Sequence, residues 1–201
     1  MMRRLRLDRS GASGVEFALV LPLVLLFLFG IIDAGRFMWE VNKAEKATQV
    51  GARMAVVTNP IAGGLATSYI GVGGLTQGDL IPASQLGKIV CTNTACCNPA
   101  SLCTTPYPAL GTYDSATFTA IFNRMRAMKR DIAANNVRVS YRGSGLGYAG
   151  DPNGMDVAPL VTVELTGVQF RPITTFLFAT LTLPDFRTTL TAEDSAGSQS
   201  N

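Results

Sequence analysis

The apolar positions of the chain fall into one long block followed by several shorter patterned segments. The block from Phe17 to Ile32 holds 16 uncharged residues, and counting from Ala12 gives 21, about 31 Å of helix and close to a bilayer core. From Phe37 to Ala55, apolar and small residues recur every three or four positions, with charges on the other faces. The pattern predicts one helix from about Val15 to Val57, ended by Asn59-Pro60, because proline disfavours a helical residue before it.

A second helix and three strands are predicted further along the chain. The helix is capped by Asp114 or Ser115 and ends at Asn135-Asn136, since asparagine tolerates a left-handed turn. Its apolar face comprises Phe118, Ile121, Phe122, Met125, Met128 and Ile132. The alternating or apolar segments that predict strands are Val137–Tyr141, Val157–Phe170 and Phe186–Ala192.

Two further stretches complete the fold prediction. The run from Ile173 to Leu183 is apolar but too short to span a membrane, so it is a turn and connector, either near the membrane or packed on the sheet. Residues 61–112 lack a sustained period and predict a long surface loop with a short helix near Gln85. The predicted fold is α+β: a long N-terminal transmembrane and stalk helix packed on a small antiparallel sheet, with a second amphipathic helix and a disulfide-stapled loop.

All four cysteines of the chain lie in this loop, at positions 91, 96, 97 and 103. Their spacing differs from the paired C-x2-C spacing of a zinc ribbon, so we expect two disulfides rather than a metal site. Three pairings are possible, and Cys96 and Cys97 are awkward partners for each other because they are adjacent. Each is therefore expected to reach outward, to Cys91 or to Cys103, with zinc or free thiols as the alternatives.

The charge distribution predicts a membrane orientation and argues against a nucleic-acid partner. The first ten residues carry +3 of the formal net charge of +3, so the remaining residues sum to zero and offer no basic face for nucleic acid. The arginines of this leader place the N-terminus in the cytoplasm by the positive-inside rule. The chain has no histidine, S-x-x-K or G-x-S-x-G, so we expect no enzyme activity, no catalytic residue, no metal and no cofactor.

Glu16 is the one charged residue within the 21-residue count, where a carboxylate is costly and needs a cationic partner. A cut between Gly11 and Ala12 would create an amine four residues before Glu16, one helical turn away. The amine of a neighbouring copy, displaced along a helical assembly, would serve equally well. The uncut chain offers only Arg9, about two turns away.

A resemblance to a known family rests on these same residues. Gly11–Phe17 (GASGVEF) resembles the prepilin peptidase site of type IV pilin-like proteins: a glycine, a cut, glutamate fifth after it, and a hydrophobic helix. In the tight adherence (Flp) branch an aromatic residue follows the glutamate, as Phe17 does here. The string from Arg9 to Arg36 resembles the start of TadE-like proteins, down to the proline-containing helix and the exit sequence GIIDAGR. The close resemblance covers about residues 9–57. It does not distinguish TadE from its sister protein TadF.

The resemblance implies a pseudopilin of the bacterial inner membrane that takes part in assembling the Flp pilus. Residues 1–11 would be a cytoplasmic leader, 12–57 an anchor (about 15–32) continuing as a stalk, and 58–201 a periplasmic domain carrying the 61–112 loop. Gly11 and Ala12 would flank the cut, Glu16 would set subunit registry and Phe17 would serve recognition by the peptidase. The implied partners are the inner membrane, prepilin peptidase, other pilin-like subunits and the pilus assembly platform.

Other interpretations remain open at this point. An uncleaved, single-pass, membrane-tethered periplasmic binding module whose ligand meets the cysteine loop would explain the hydrophobicity and charge but not Gly11 and Glu16. A secretory signal peptide is disfavoured by Glu16 and by the lack of an A-x-A site. A type II secretion pseudopilin resembles the chain less, because those mature chains usually begin with phenylalanine rather than an alanine such as Ala12.

Overall fold

The computed structural model describes residues 12–152, 154–174 and 179–192. The described chain divides into two compact units. The first unit comprises the chain up to Val41 together with Gln169–Thr182. The second unit comprises Asn42–Val168 together with the chain from Leu183 onward. Helix α1 spans Ala12–Val57 and contributes to both, so the predicted long helix is confirmed, with Pro22 inside it. The second α-helix and the β-strands are β1 (Lys88–Cys91), α2 (Ser115–Met128), β2 (Val137–Arg142), β3 (Leu160–Leu165), β4 (Gln169–Phe170), β5 (Leu181–Thr182) and β6 (Phe186–Thr191), and short 3-10 turns lie between them.

The first unit contains the apolar part of α1 and a short hairpin. Strands β4 and β5 pair antiparallel, with Gln169 opposite Thr182 and Phe170 opposite Leu181. The Gln169 side-chain amide donates to the Thr182 hydroxyl at 3.0 Å, across this pair. The hairpin encloses the predicted connector, whose residues 175–178 lie outside the described part of the chain.

The second unit is built on a four-stranded antiparallel sheet in the order β1-β2-β3-β6. Central strand β3 pairs with β2 and β6 over its whole length, for example with Val163 opposite both Val139 and Thr188. Val161, Val163 and Leu165 are buried on one face, while Thr162 and Glu164 on the other are partly exposed, as the alternation predicts. The predicted small antiparallel sheet is therefore confirmed.

The C-terminal part of α1 packs in this unit through small residues. Ala44, Ala47 and Ala52 are fully buried. The Thr48 hydroxyl lies 3.0 Å from the Thr188 hydroxyl of β6. A Cβ on Gly51 would lie 2.6 Å from the Met125 Cγ of α2 and 3.3 Å from Val163 Cγ1 of β3, so the absence of a side chain permits this close approach. The predicted layer of helix on sheet is thus present.

Helix α2 begins where the sequence indicates and ends earlier. The Asp114 carboxylate accepts hydrogen bonds from the backbone N–H groups of Ala116 and Thr117, which makes it the N-cap. The helix ends at Met128 rather than at Asn135-Asn136, because Lys129 adopts an extended backbone. The apolar period misled the prediction: Ile132 is buried, but it reaches the core from a turn beyond the helix.

Two strand predictions need correction. The segment Val157–Phe170 forms two strands in different sheets instead of one, because Gly167 has a φ of +67° that interrupts extended backbone between β3 and β4. The stretch 61–112, predicted as a loop, contributes strand β1 to the main sheet, with Lys88 opposite Arg142 and Cys91 opposite Val139. It also holds the expected short helix, a single 3-10 turn at Ala83–Gln85.

Candidate functional site

The N-terminal residues singled out by the sequence lie at the start of α1. Gly11 lies outside the described residues, and Ala12 is the first residue of the helix. Glu16 and Phe17 are both exposed, with 65% of Phe17 accessible. The structure therefore leaves the carboxylate and the aromatic ring available on the surface of a regular helix, while the position of the predicted cut falls at the boundary of the described chain.

The apolar part of α1 is uncovered along its whole length. Large hydrophobic residues from Val15 (62% accessible) to Ile32 (48%) are exposed, and the chain's own residues bury none of the most apolar window. By length and composition, α1 is the one helix of the described residues that is apolar enough to cross a membrane. Exposing so large an apolar surface to water is unfavourable in free energy. The helix therefore indicates membrane anchoring.

Asp33, the first charged residue after this apolar run, is held by a set of hydrogen bonds. Its Oδ1 accepts from the Ile173 backbone N–H at 2.7 Å and from Arg36 Nη1 at 3.0 Å. Its Oδ2 accepts from the Thr174 backbone N–H at 3.0 Å and from the Thr174 hydroxyl at 2.7 Å. With only 7% of the residue accessible, the carboxylate is buried and fully engaged, as a buried charge must be.

Aromatic and cationic side chains continue this contact one turn further along α1. The Phe170 ring packs edge-on against Phe37, with 5.5 Å between centroids and an interplanar angle of 84°. The Arg36 guanidinium lies 5.5 Å from the centre of the same Phe170 ring. Asp33, Arg36 and Phe37 thus fasten the β4–β5 hairpin to α1 immediately beyond its apolar run.

The cysteine loop forms both expected disulfides. Cys91 pairs with Cys96 and Cys97 with Cys103, so each of the adjacent cysteines reaches outward as predicted. The pairing itself could not be chosen from the sequence.

The disulfide-bonded loop covers the outer edge of strand β1. The N–H and C=O of Lys88 bond to Thr104 at 2.8 and 2.9 Å. The Val90 C=O accepts from the Cys97 N–H at 2.8 Å, and the Val90 N–H donates to the Cys103 sulfur at 3.1 Å. The loop therefore completes the hydrogen bonding of an edge strand that would otherwise present free backbone groups.

A buried carboxylate in the second unit joins residues 68–69 to residues 150–151. Asp156, 6% accessible, accepts from the backbone N–H groups of Tyr69, Gly150 and Asp151 at 2.6, 2.8 and 3.0 Å, and from the Ser68 hydroxyl at 3.0 Å. Burial raises the pKa of Asp156, but these hydrogen bonds outweigh burial and hold the pKa below its usual value. For Tyr69, burial and the nearby Asp156 charge raise the pKa to about 12.

A shallow cavity lies on the outward face of the main sheet rather than at the cysteines. Its volume is about 310 Å³. The lining side chains are mostly polar or cationic: Lys88, Ser140, Arg142, Leu160, Thr162, Glu164, Arg187 and Thr189. Among the described residues, no group of three or more histidine, cysteine, aspartate or glutamate side chains could hold a metal ion.

Comparison with known proteins identifies the N-terminal part of the chain. The family model described as TadE-like protein matches residues 11–53. This part of the chain is TadE-like. No curated protein and no solved structure matches the chain. The match begins at Gly11 and runs along α1 past Asp33, so the TadE-like segment holds both the residues of the predicted cut and those that fasten the hairpin.

The TadE-like match indicates a minor pilin-like protein associated with the tight adherence pilus, of a structural rather than enzymatic family. Sequence reasoning found the N-terminal residues of the TadE-like segment but assigned no role to Asp33. One signal was available: a carboxylate directly after an apolar run, three residues before Arg36, at a spacing that favours an ion pair. Its partners Ile173 and Thr174 carried no signal, because they lie 140 and 141 positions away.

Proposed function

We propose that the protein is a membrane-anchored pseudopilin that takes part in assembly of Flp (tight adherence) type IV-like pili after maturation by prepilin peptidase. The observation that carries this proposal is the TadE-like match, which begins at Gly11, the residue before the proposed cut. Residues 1–11 are the leader, residues 12–57 the anchor and stalk, and residues 58–201 the periplasmic domain. The role is structural, in partnership with other pilin-like subunits and the assembly platform.

The geometry of α1 supports the proposed maturation. The helix begins at Ala12, which would carry the new amine, and Glu16 follows four residues later, about 6 Å along the axis. Glu16 is exposed on a segment whose large neighbours are apolar and equally exposed, so its carboxylate meets lipid or another subunit. A neighbouring subunit's Ala12 amine is the cation that would stabilise it there and set the registry between subunits.

The test is the intact mass of the full-length protein extracted from membranes of cells with and without prepilin peptidase. We expect the wild type to lose residues 1–11 only when the peptidase is present, and Gly11→Ala to retain them. Gly30→Ala is the matched control, because a Cβ at Gly30 meets nothing within 4 Å and lies away from the cut. A wild-type N-terminus that is unchanged by active peptidase would rule out the maturation.

The second candidate is the uncleaved, tethered periplasmic binding module. The observation that favours it is the cavity of about 310 Å³ on the outward sheet face, where Lys88, Arg142 and Arg187 outnumber Glu164. Such a cavity suits an anionic ligand. The same mass measurement separates the two functions, because a binding module retains its leader in the presence of the peptidase.

A further inference from the structure

The outward face of the four-stranded sheet collects cationic side chains. The other face is covered by helices, since Gly51 of α1 lies close to Met125 of α2 and to Val163 of β3. Side chains alternate between the two faces of a strand, so the positions that alternate with the buried ones lie on the outward face. The charged residues at these positions are Lys88, Arg138, Arg142, Glu164 and Arg187. Four cations against one carboxylate concentrate positive charge here, although the chain beyond its first ten residues has no net charge.

At one end of this face the charges are balanced. Arg138 and Arg187 are the cross-strand neighbours of Glu164, one on each side. Asp185 lines an adjoining depression together with Glu164 and Arg187. Two cations therefore meet two carboxylates, and this end requires no further anion.

At the other end two cations face each other without a counter-charge. Lys88 lies directly opposite Arg142 in the register of β1 and β2, and both side chains line the cavity of about 310 Å³. The next residues across the sheet, Leu160 and Thr191, are uncharged. Glu164 is four positions from Leu160 along β3, about 13 Å away. Within the described part of the chain neither Lys88 nor Arg142 forms a salt bridge, and like charges directly opposite each other destabilise a sheet.

The lining of the cavity indicates which kind of anion fits. Small-molecule sites are lined mostly by apolar side chains and enclose their ligand. Here Leu160 is the one apolar side chain among the described residues that line the cavity, and the Thr162 and Thr189 hydroxyls lie 2.8 Å apart beside it. A shallow, hydrophilic surface of this kind suits carboxylates that project from another protein, because these need no enclosure.

We propose that Lys88 and Arg142 form a docking site for an acidic segment of a partner protein. A carboxylate placed between the two cations would replace their mutual repulsion with charge-assisted hydrogen bonds. Complementary charge also guides the encounter of two proteins. The inference rests on the proposed function for the nature of the partner, another protein of the pilus assembly, but it does not depend on removal of the leader.

Fluorescence anisotropy of a fluorescein-labelled polyglutamate peptide tests the site. The full-length protein in nonionic detergent is titrated into the peptide at low ionic strength, where exposed charges are least screened. We expect Lys88→Gln and Arg142→Gln each to weaken binding roughly threefold, and Lys88→Arg, which keeps the charge, to bind as the wild type does. Arg126→Gln is the matched control, because Arg126 is exposed on α2, away from the outward face. The leader arginines are common to all variants and contribute equally.

Thermal unfolding of the same variants gives an independent measurement. Each glutamine substitution removes a like-charge pair, so the melting temperature should equal or exceed that of the wild type. A lower melting temperature in both Lys88→Gln and Arg142→Gln would show that these side chains stabilise the sheet, and it would overturn the docking role.

Equal peptide affinity in the wild type and both glutamine variants also overturns the site. So does displacement of the peptide by inorganic phosphate at an equal concentration of negative charge, because a small anion would then suffice. Binding that appears only after Glu193→Gln and Asp194→Gln would assign the site to the chain's own acidic residues and contradict a partner protein. The intact-mass measurement is independent of these outcomes, so leader removal without peptide binding retains the pseudopilin and removes only this docking site.

Discussion

The Asp33 carboxylate accepts hydrogen bonds from both the backbone N–H and the hydroxyl of Thr174, 141 positions later in the chain. Replacing Asp33 with asparagine keeps the shape of the side chain but removes its charge. One carboxylate oxygen is replaced by an NH₂ group, which cannot accept a hydrogen bond from the donors of Ile173 and Thr174. We expect the Ile173 and Thr174 amides to exchange hydrogen on the order of tenfold faster in Asp33→Asn, because each loses a charged acceptor.

Hydrogen–deuterium exchange on the full-length protein in detergent measures this effect. Asp185→Asn is the matched control, since Asp185 is exposed and lies outside the hairpin. Unchanged exchange at residues 173 and 174 in Asp33→Asn would show that the hairpin does not depend on this carboxylate.

Gly51 gives the second prediction, because a methyl group there would overlap the Met125 side chain and crowd Val163. We expect Gly51→Ala to destabilise the second unit by about 1–3 kcal/mol through overpacking. The measurement is thermal unfolding of the detergent-solubilised protein by circular dichroism. Gly35→Ala lies in the same helix and meets nothing within 4 Å, so it should leave the melting temperature unchanged or slightly higher. Equal melting temperatures for the two variants would contradict the close packing.

An element could be predicted from the sequence where the residues that cause it to form are close together in the chain. Helix α1 follows from a run of apolar residues, and α2 begins at Ser115, directly after Asp114, whose carboxylate caps it. Strand β1 was missed because its four residues stand among glycines and prolines and gain strand structure only by pairing with β2.

The contacts that residues far along the chain make with α1 could not be predicted from the sequence. The TadE-like N-terminal motif was recognisable because its residues are adjacent. The partners of Asp33 were not, because folding alone brings Ile173 and Thr174 to it. The break at Gly167 was likewise invisible, since glycine is compatible with both extended backbone and the positive φ found there.

The third prediction concerns the disulfide between Cys97 and Cys103. Replacing both cysteines with serine should lower the free energy of unfolding by about 2 kcal/mol, because the bond closes a short loop and limits the unfolded ensemble. Denaturant unfolding monitored by circular dichroism provides the value. Peptide mapping without reduction should recover Cys91 joined to Cys96 in both proteins, and recovery of any other pairing would contradict the connectivity.

The fourth prediction is a dependence of stability on acid. Hydrogen bonds hold the pKa of Asp156 below its usual value despite burial. The stabilisation is therefore fully present above the unfolded pKa, about 3.9, and is lost as pH falls through the lower folded pKa. We expect the melting temperature to fall in this acidic range, and Asp156→Asn to begin lower at neutral pH and decline less steeply.

Melting curves of the wild type, Asp156→Asn and Asp185→Asn between about pH 7 and pH 3 test this dependence. Asp185→Asn should follow the wild-type curve, because Asp185 is exposed on the surface. An acid decline of the same steepness in Asp156→Asn would assign the loss of stability to other carboxylates, such as the α2 cap Asp114.

The cover that the cysteine loop provides for strand β1 has a consequence for how the protein behaves in bulk. Thr104, Cys97 and Cys103 are hydrogen-bonded along this edge, so strand β1 cannot pair edge to edge with a strand of another molecule. Reduction of the disulfides would loosen the loop and leave the backbone N–H and C=O groups of Lys88 and Val90 unpaired, so that the edge strand could pair with another molecule. Preparations kept under strong reductant should consequently precipitate as ordered aggregates, and the redox state of the buffer becomes a determinant of solubility.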